Sequence, residues 1–318
     1  MGHEHTAGFE PGYRKLLRSG ALEDRVRRAW ARLADCDLCP RDCHVNRRVT
    51  TKGAVCRTGE RAVVASYQPH FGEEACLVGR HGSGTIFFSW CNLRCQFCQN
   101  YDISQRGHGR EADPAALAAM MLDLQDCGCH NINFVTPSHV VPQILAAVLI
   151  AAERGLGVPL VYNTSGYDAL LTLKLLDGVV DIYMPDMKYA DEDLARTYSK
   201  VRRYPALNQA AVKEMHRQVG TLVVDALGIA QRGVLVRHLV LPNGLAGTAE
   251  IMGFVAREIS PRTYLNVMDQ YRPCYNVSRT PALSRRVTVG EYNAALRLAA
   301  AAGIERREDR PPESPTVS

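Results

Sequence analysis

The sequence predicts an α/β protein: a parallel sheet of six βα units forming a full or partial (βα)6 barrel, with a small Cys-rich metal-binding cap at the N-terminus. Three observations carry this. Six short apolar runs rich in β-branched and aromatic residues recur from residue 84 onward, and helix-like stretches separate them. Each run is followed by a polar or metal-binding segment. Finally, four of the eleven cysteines crowd into residues 36–56, ahead of the first run.

Composition bounds the rest. The chain has 318 residues, 46% hydrophobic and 22% charged, as expected of an ordinary globular protein that buries one large core. Its net charge of +5 is mild, and no Lys/Arg-dense run is interleaved with aromatics, so no nucleic-acid partner is expected. The start, "MGHEHTAGFEPGYRKL", lacks an apolar h-region, and no apolar run reaches about 18 residues. The expected location is the cytoplasm, away from membranes. Eleven cysteines in such a chain point to metal or redox chemistry rather than a disulfide framework.

Taken in order, residues 11–34 carry helical periodicity, with Leu16, Leu17, Leu22, Val26, Trp30 and Leu33 as the apolar set. The Cys-rich stretch follows, and residues 1–80 together read as the cap. The six runs are "GTIFFSW" (84–90), "NINFV" (131–135), "PLVYN" (159–163), "VVDIYMP" (179–185), "VLVRHLVL" (234–241) and "YLNVM" (264–268). "DPAALAAMMLDLQDCG" and "VPQILAAVLIAAERGLG" lie between runs as helices, the second closing on glycine. Residues 81–304 form the core. The charged, Pro/Ser-rich tail 305–318 is expected to be disordered, as are His3 and His5.

The segments after the runs are "CNLRCQFCQN", "TPSH", "TSGY", "DMKY", "PNG" and "DQYRPC". In parallel α/β architectures the ligand site forms where strands end, so these six loops assemble one site. Cys91, Cys95 and Cys98, spaced C-x3-C-x2-C, supply three thiolates where a closed site takes four. Three thiolates bind three irons of a [4Fe–4S] cubane and leave the fourth open to a ligand. The alternative is a zinc site that borrows a distant fourth ligand.

This spacing, with Phe97 just before the third cysteine, resembles the radical S-adenosylmethionine superfamily, whose partial (βα)6 barrel matches the six runs. More closely, "CDLCPRDC", "FGEEACLVGRHGSGTIFFSWCNLRCQFCQNYDIS", "NFVTPSHVV", "YNTSGYD", "YMPDMKY", "RHLVLPN" and "VMDQYRP", in this order, resemble homologues of pyruvate formate-lyase activating enzyme. The resemblance covers Pro11 to about Ile304.

It implies a [4Fe–4S] cluster on Cys91, Cys95 and Cys98, and an open iron that chelates S-adenosylmethionine. One electron cleaves the sulfonium, and the resulting 5′-deoxyadenosyl radical abstracts a hydrogen atom from substrate. By position, Phe97 would hold the adenine, and Asn163, Thr164, Ser165 and Gly166 would approach the cofactor. Asp186 and Lys188 form a D-x-K pair in which the lysine reaches the cofactor carboxylate. "TPSH" replaces the glycine-glycine-glutamate loop of many relatives, so Thr136 and Ser138 offer hydroxyls where those have a carboxylate. Arg237 and Asp269-Gln270-Tyr271 would line the substrate side.

Plainer roles remain open for several of these. Asp186 and Lys188 could be a solvated pair, one of Arg237 and His238 could face the helices, and the hydroxyls could cap helices. Cys36, Cys39, Cys43 and Cys56 can close a second metal site, either tetrahedral zinc or an auxiliary iron–sulfur cluster, or they can be free thiols. Cys76, Cys127 and Cys129 are expected to be plain thiols. Cys274 and Tyr271 are the candidates for acting directly on a substrate radical.

The function expected is radical-based hydrogen abstraction, as in glycyl-radical-enzyme activases, with a protein substrate and a flavodoxin or ferredoxin as electron donor. A radical enzyme acting on another peptide, an amino-acid side chain or a small molecule is the second reading. A non-catalytic iron–sulfur or zinc protein for electron transfer or scaffolding is the third.

Overall fold

The computed structural model describes residues 9–308; His3, His5 and the tail from residue 309 lie outside the described residues. Strands are β1 (Ala62–His70), β2 (Ser83–Phe88), β3 (Arg110–Ala112), β4 (Ile132–Val135), β5 (Leu160–Thr164), β6 (Ile182–Pro185), β7 (Val223–Val224), β8 (Ala230–Leu239), β9 (Tyr264–Met268) and β10 (Arg306–Arg307). Helices are α1 (Gly12–Arg18), α2 (Ala21–Ala31), α3 (Ala75–Val78), α4 (Tyr101–Ser104), α5 (Pro114–Asp126), α6 (Val141–Glu153), α7 (Leu170–Leu176), α8 (Glu192–Ser199), α9 (Tyr204–Val219), α10 (Thr248–Phe254) and α11 (Val289–Ala301).

The strands form one sheet ordered β10-β9-β8-β6-β5-β4-β2-β1-β3, with β7 beside β8. Every one of the six predicted runs became a parallel strand, namely β2, β4, β5, β6, β8 and β9. β2 and β9 do not pair with each other, so the barrel stays open. β1 and β3 extend it antiparallel beyond β2.

Local chemistry explains the elements. Asp113 caps α5 by accepting from Ala116 N at 2.8 Å, with Pro114 in the first turn. Asp191 does the same for α8, and Thr288 with Glu291 forms a capping box on α11. The single helix expected over 11–34 is two helices, because Gly20 takes φ 73° and turns the chain.

Three stretches depart from the expected partition. α1 and α2 supply Tyr13, Leu22 and Ala29 to the same core as the sheet's outer face. β1, from within residues 1–80, is hydrogen-bonded to β2. β10, from within 305–318, pairs with β9. β10 is two residues long, and β1 pairs with a strand that composition assigns to a different unit, so a partition by composition does not reveal these joins.

Outward-facing Ile132, Phe134, Leu160, Tyr162, Tyr183 and Val234 meet the helices. Inward-facing Val161, Ile182, Met184 and Leu235 close on Cys76 and Leu77 of α3 and on Leu222. α3 therefore plugs the barrel and carries Glu73 and Glu74, which precede it, towards the interior. Asp181 joins the N-terminal helix to the sheet, accepting from Gly12 N at 2.9 Å and Leu160 N at 3.1 Å. Burial pushes its carboxyl up to about 7 despite both bonds. Among the described residues, no helix is long and apolar enough to cross a membrane.

Candidate active site

The loop after β2 turns sharply at Trp90, whose φ of 66° is unusual for a bulky residue. Trp90 N donates to Ile103 O at 2.9 Å, which holds the turn. Cys91 and Cys95 are buried and Cys98 is half-buried. Each sulfur has polar neighbours: Cys91 accepts from Leu93 N at 3.3 Å and donates to Asn92 Oδ1 at 3.8 Å, Cys95 accepts from Ser199 Oγ at 3.0 Å, and Cys98 lies 3.0 Å from Ser104 Oγ. Such bonds tune sulfur ligands. The loop leans on α8, since Arg94 N and Gln96 N donate to Ser199 O and Tyr198 O at 2.9 and 2.8 Å.

Burial, then the neighbouring Cys95, pushes the Cys91 thiol up to about 12. Burial pushes Cys95 up to about 11, opposed by the Lys188 ammonium. Thiols this reluctant to ionise become ligands only against a strongly positive centre.

A line of charges runs from there into the barrel. Lys188 Nζ donates to Asp186 Oδ2 at 2.5 Å, and Arg237 Nε donates to Asp186 Oδ1 at 2.9 Å. Arg237 Nη2 continues to Asn163 Oδ1 at 2.8 Å, and its Nη1 lies 3.6 Å from Glu73 Oε2. Glu74 Oε1 accepts from Asn266 Nδ2 at 2.7 Å. Burial raises the Asp186 carboxyl, but Arg237 and Lys188 outweigh it and hold the group below its ordinary range. Burial lowers Lys188, but Asp186 and then Cys95 outweigh it and hold it above. The geometry is that of a buried network, with Lys188 side chain 16% and Asp186 side chain 11% exposed, not of a solvated pair.

Arg237 thus faces inward, and His238 is the one that faces the helices. His238 Nδ1 donates to Met187 O at 2.8 Å and Nε2 lies 2.9 Å from Thr248 Oγ1. Burial pulls its pKa down to about 4. The unfolded value is about 6.5, so the unfolded chain binds the proton first; this contribution is intact above pH 6.5 and lost as pH falls through 4. Asp181, raised, acts with the opposite sign, so wild-type acid sensitivity alone does not isolate His238. The difference in urea-unfolding free energy between wild type and His238→Gln is expected to shrink by about 3 kcal/mol from pH 7 to pH 4. A pH-independent difference would contradict the buried neutral imidazole.

The other expected cofactor residues are distributed as follows. Phe97 is buried edge-on against Tyr271, with ring centroids 5.7 Å apart. Thr136 holds φ 64°, strained for a β-branched residue, and its N–H donates to Asn163 O at 2.9 Å. The Ser138 hydroxyl is engaged within the fold, 3.0 Å from Thr164 Oγ1, which itself donates to Asp168 at 2.6 Å. That contact braces the loop. The buried Ser165 Oγ finds no partner among the described residues. Asp269 is half-buried just past β9.

Tyr271 OH donates to Leu283 O at 2.7 Å, and the Cys274 thiol donates to Phe97 O at 3.4 Å. The tyrosine hydroxyl is therefore occupied by packing, whereas Cys274 stands beside the three-cysteine loop.

Gly166 has its own reason to be glycine. At φ 71°, an added Cβ would lie 2.0 Å from Asn208 Nδ2 and 2.4 Å from Asp186 O. Asn208 Nδ2 donates to that same carbonyl at 2.9 Å. Gly166→Ala is expected to cost about 3 kcal/mol or more, combining overpacking with a disfavoured φ. The urea midpoint measures it, and a loss under about 1 kcal/mol would show the contact to be soft.

Residues the sequence reading did not assign are Glu73, Glu74, Ser104, Ser199 and Asn208. "FGEEACL" held the signal for the first two, since paired carboxylates before an apolar turn need a reason to be carried inward. Nothing local marks Ser104, Ser199 or Asn208.

Residues 85–225 match the radical SAM superfamily. The protein MJ0674 of Methanocaldococcus jannaschii, itself named only as uncharacterised, is 32% identical over 293 residues, covering 90% of this chain and 80% of that one. This chain belongs to the radical SAM superfamily. Radical SAM enzymes use a [4Fe–4S] cluster and S-adenosylmethionine. Among solved structures, the fold is similar to Streptococcus suis SuiB bound to precursor peptide SuiA, at 12% identity and TM-score 0.46, covering 66% of this chain and 43% of SuiB. It is also similar to methylornithine synthase, at 15% identity and TM-score 0.45, covering 73% of each chain.

The residues present fit the two groups of a radical SAM site. Cys91, Cys95 and Cys98 offer three soft donors for three irons. Among the described residues, no three His, Cys, Asp or Glu side chains gather around a single point as one metal ion requires, whereas a cubane takes each thiolate on a separate iron. The unpartnered Ser165 hydroxyl and the Lys188 ammonium, with one of three donors on Asp186, are available to a polar ligand.

Proposed function

We propose that this radical SAM enzyme acts on a segment of a partner polypeptide, in the manner of the activases of glycyl-radical enzymes. The observation that carries this is a cavity of about 810 Å³ beside the cysteine loop, lined by Arg94, Gln96, Gln105, Lys200, Asn276 and Thr280 among others. Arg94 and Gln96 flank Cys95 in the chain, so the cavity borders the loop that carries the three cysteines. Amides, hydroxyls and cations match the donors and acceptors of an extended backbone better than they match an apolar metabolite. The ordered resemblance of the loops to activating-enzyme homologues supports the same reading, with flavodoxin or ferredoxin as the natural electron donor.

When bound, the cluster and S-adenosylmethionine supply one-electron sulfonium cleavage and, from it, hydrogen-atom abstraction. The chain's own residues position and shield. Cys91, Cys95 and Cys98 would hold the cluster, and Phe97 would pack against the adenine. Lys188 would meet the cofactor carboxylate as a point charge, kept charged by Asp186. Arg237, anchored between Asp186 and Asn163, would bound the substrate side.

The test is anaerobic. Reduced enzyme with S-adenosylmethionine is given a glycyl-radical enzyme whose glycines carry deuterium at Cα. Deuterium in 5′-deoxyadenosine and a glycyl doublet in the electron paramagnetic resonance spectrum are expected. Cofactor cleavage without deuterium transfer, repeated across representative glycyl-radical enzymes, would discard the activase reading and favour another peptide or a small molecule.

A further inference from the structure

One buried cation takes no part in the active-site network. Arg47 is 2% exposed, and its guanidinium donates to Thr58 O at 2.6 Å, His139 O at 2.8 Å and Cys36 Sγ at 3.5 Å. No carboxylate of the described residues pairs with it, and the ionisable groups that bear most on it are Cys56, Cys36 and Cys39. A guanidinium stays charged in a protein, and a buried charge is costly unless something opposes it. Two carbonyls and a neutral thiol carry no net charge to do so.

The surroundings are built around the same four cysteines. Cys36, Cys39 and Cys56 are buried, and Cys43 is half-buried. Cys36 N donates to Val45 O at 3.2 Å and His44 N donates back to Cys36 O at 3.0 Å, folding the segment on itself. Asp42, His44 and Arg57, each next to Cys43 or Cys56, hold φ of 46°, 53° and 47°. Strain at three non-glycine positions persists only where something nearby over-determines the backbone. Four thiolates on a doubly positive core carry a net 2−, which a buried guanidinium reduces to 1−.

The segment also grips the active site. Arg41 Nε donates to Asn92 O at 2.7 Å, one residue from Cys91. Arg47 reaches His139 at the end of the "TPSH" loop, whose ring nitrogen Nε2 lies 3.0 Å from Ser89 O. Arg94 donates to Val55 O, next to Cys56.

We propose that Cys36, Cys39, Cys43 and Cys56 form a closed four-thiolate metal centre, separate from the Cys91 loop, whose negative charge is balanced by buried Arg47 and whose backbone fastens that loop in place. This does not rest on the activase reading. Among the described residues the sulfurs are not drawn in to the spacing of a single ion. A four-iron core, with one thiolate per iron, is the occupant this spread favours.

The test uses the full chain with Cys91, Cys95 and Cys98 changed to alanine, purified anaerobically with iron, sulfide and zinc supplied. About four irons with matching sulfide, or about one zinc, should remain per chain and be lost when Cys39 and Cys56 are also replaced. Iron with a visible charge-transfer band establishes the cluster; colourless zinc establishes the centre but overturns the four-iron assignment. A metal-free triple variant, or retention without Cys39 and Cys56, overturns the proposal. In that background Arg47→Met should weaken metal retention against a chelator by about 10-fold or more, and Arg47→Lys should recover part of it. Equal retention in all three would remove Arg47 from the centre.

Discussion

Changing Cys91, Cys95 and Cys98 together to alanine is expected to reduce 5′-deoxyadenosine formation to background. The wild type, reconstituted with iron and sulfide and reduced by dithionite, should form it from S-adenosylmethionine. The fold should survive the exchange, because each substitution removes one sulfur from a loop already held by Arg94 N, Gln96 N and Trp90 N through their backbone bonds. Circular dichroism and an unchanged urea midpoint to within about 1 kcal/mol check that. Loss of cleavage with the fold intact places the initiating centre on these three sulfurs. Undiminished cleavage in the triple variant would move it elsewhere. A fully loaded wild type that never cleaves would revive the scaffold reading, unless adding the partner polypeptide restores turnover.

The second large effect is expected at Asp186. Its carboxylate stands between Lys188 at 2.5 Å and Arg237 at 2.9 Å, and Asp186→Ala leaves those two cations buried near each other without it. Removing one member of a buried network costs about 3–5 kcal/mol, whereas a solvated pair costs about 1 kcal/mol or less. Urea unfolding of the metal-free chain distinguishes the two. Combining Asp186→Ala with Arg237→Met should recover part of the loss, since the residues are coupled. A loss under 1 kcal/mol for Asp186→Ala would return the pair to the solvated class.

The parallel strands were legible because each is a short run of β-branched and aromatic residues, bounded by turns and alternating with longer helical patterns. The polar ends of those strands were legible for the same reason, as every loop follows a recognisable run. Three features outside those runs were not. β1 and β10 join the sheet through backbone bonds that leave no periodic mark, and Gly20 interrupts a helix whose apolar spacing reads straight through it. At the site, Asp186, Lys188 and Asn163 were singled out by position, and Arg237 links them in the structure. Glu73 became relevant only once α3 plugged the barrel. For Ser138 the hydroxyl can be read in sequence, but the Thr164 hydroxyl that it meets cannot.

The open barrel has one more consequence. A sheet that does not close exposes two rows of unpaired backbone groups, and such rows recruit other chains into aggregates. Here one edge is β3, three residues long and beginning Arg110-Glu111, and the other is β10, the two residues Arg306 and Arg307. Both are too short and too charged to template a neighbouring strand. Past Val64 the edge passes to β1 itself, where exposed Ser66 and Gln68 and the proline at Pro69 give the same protection.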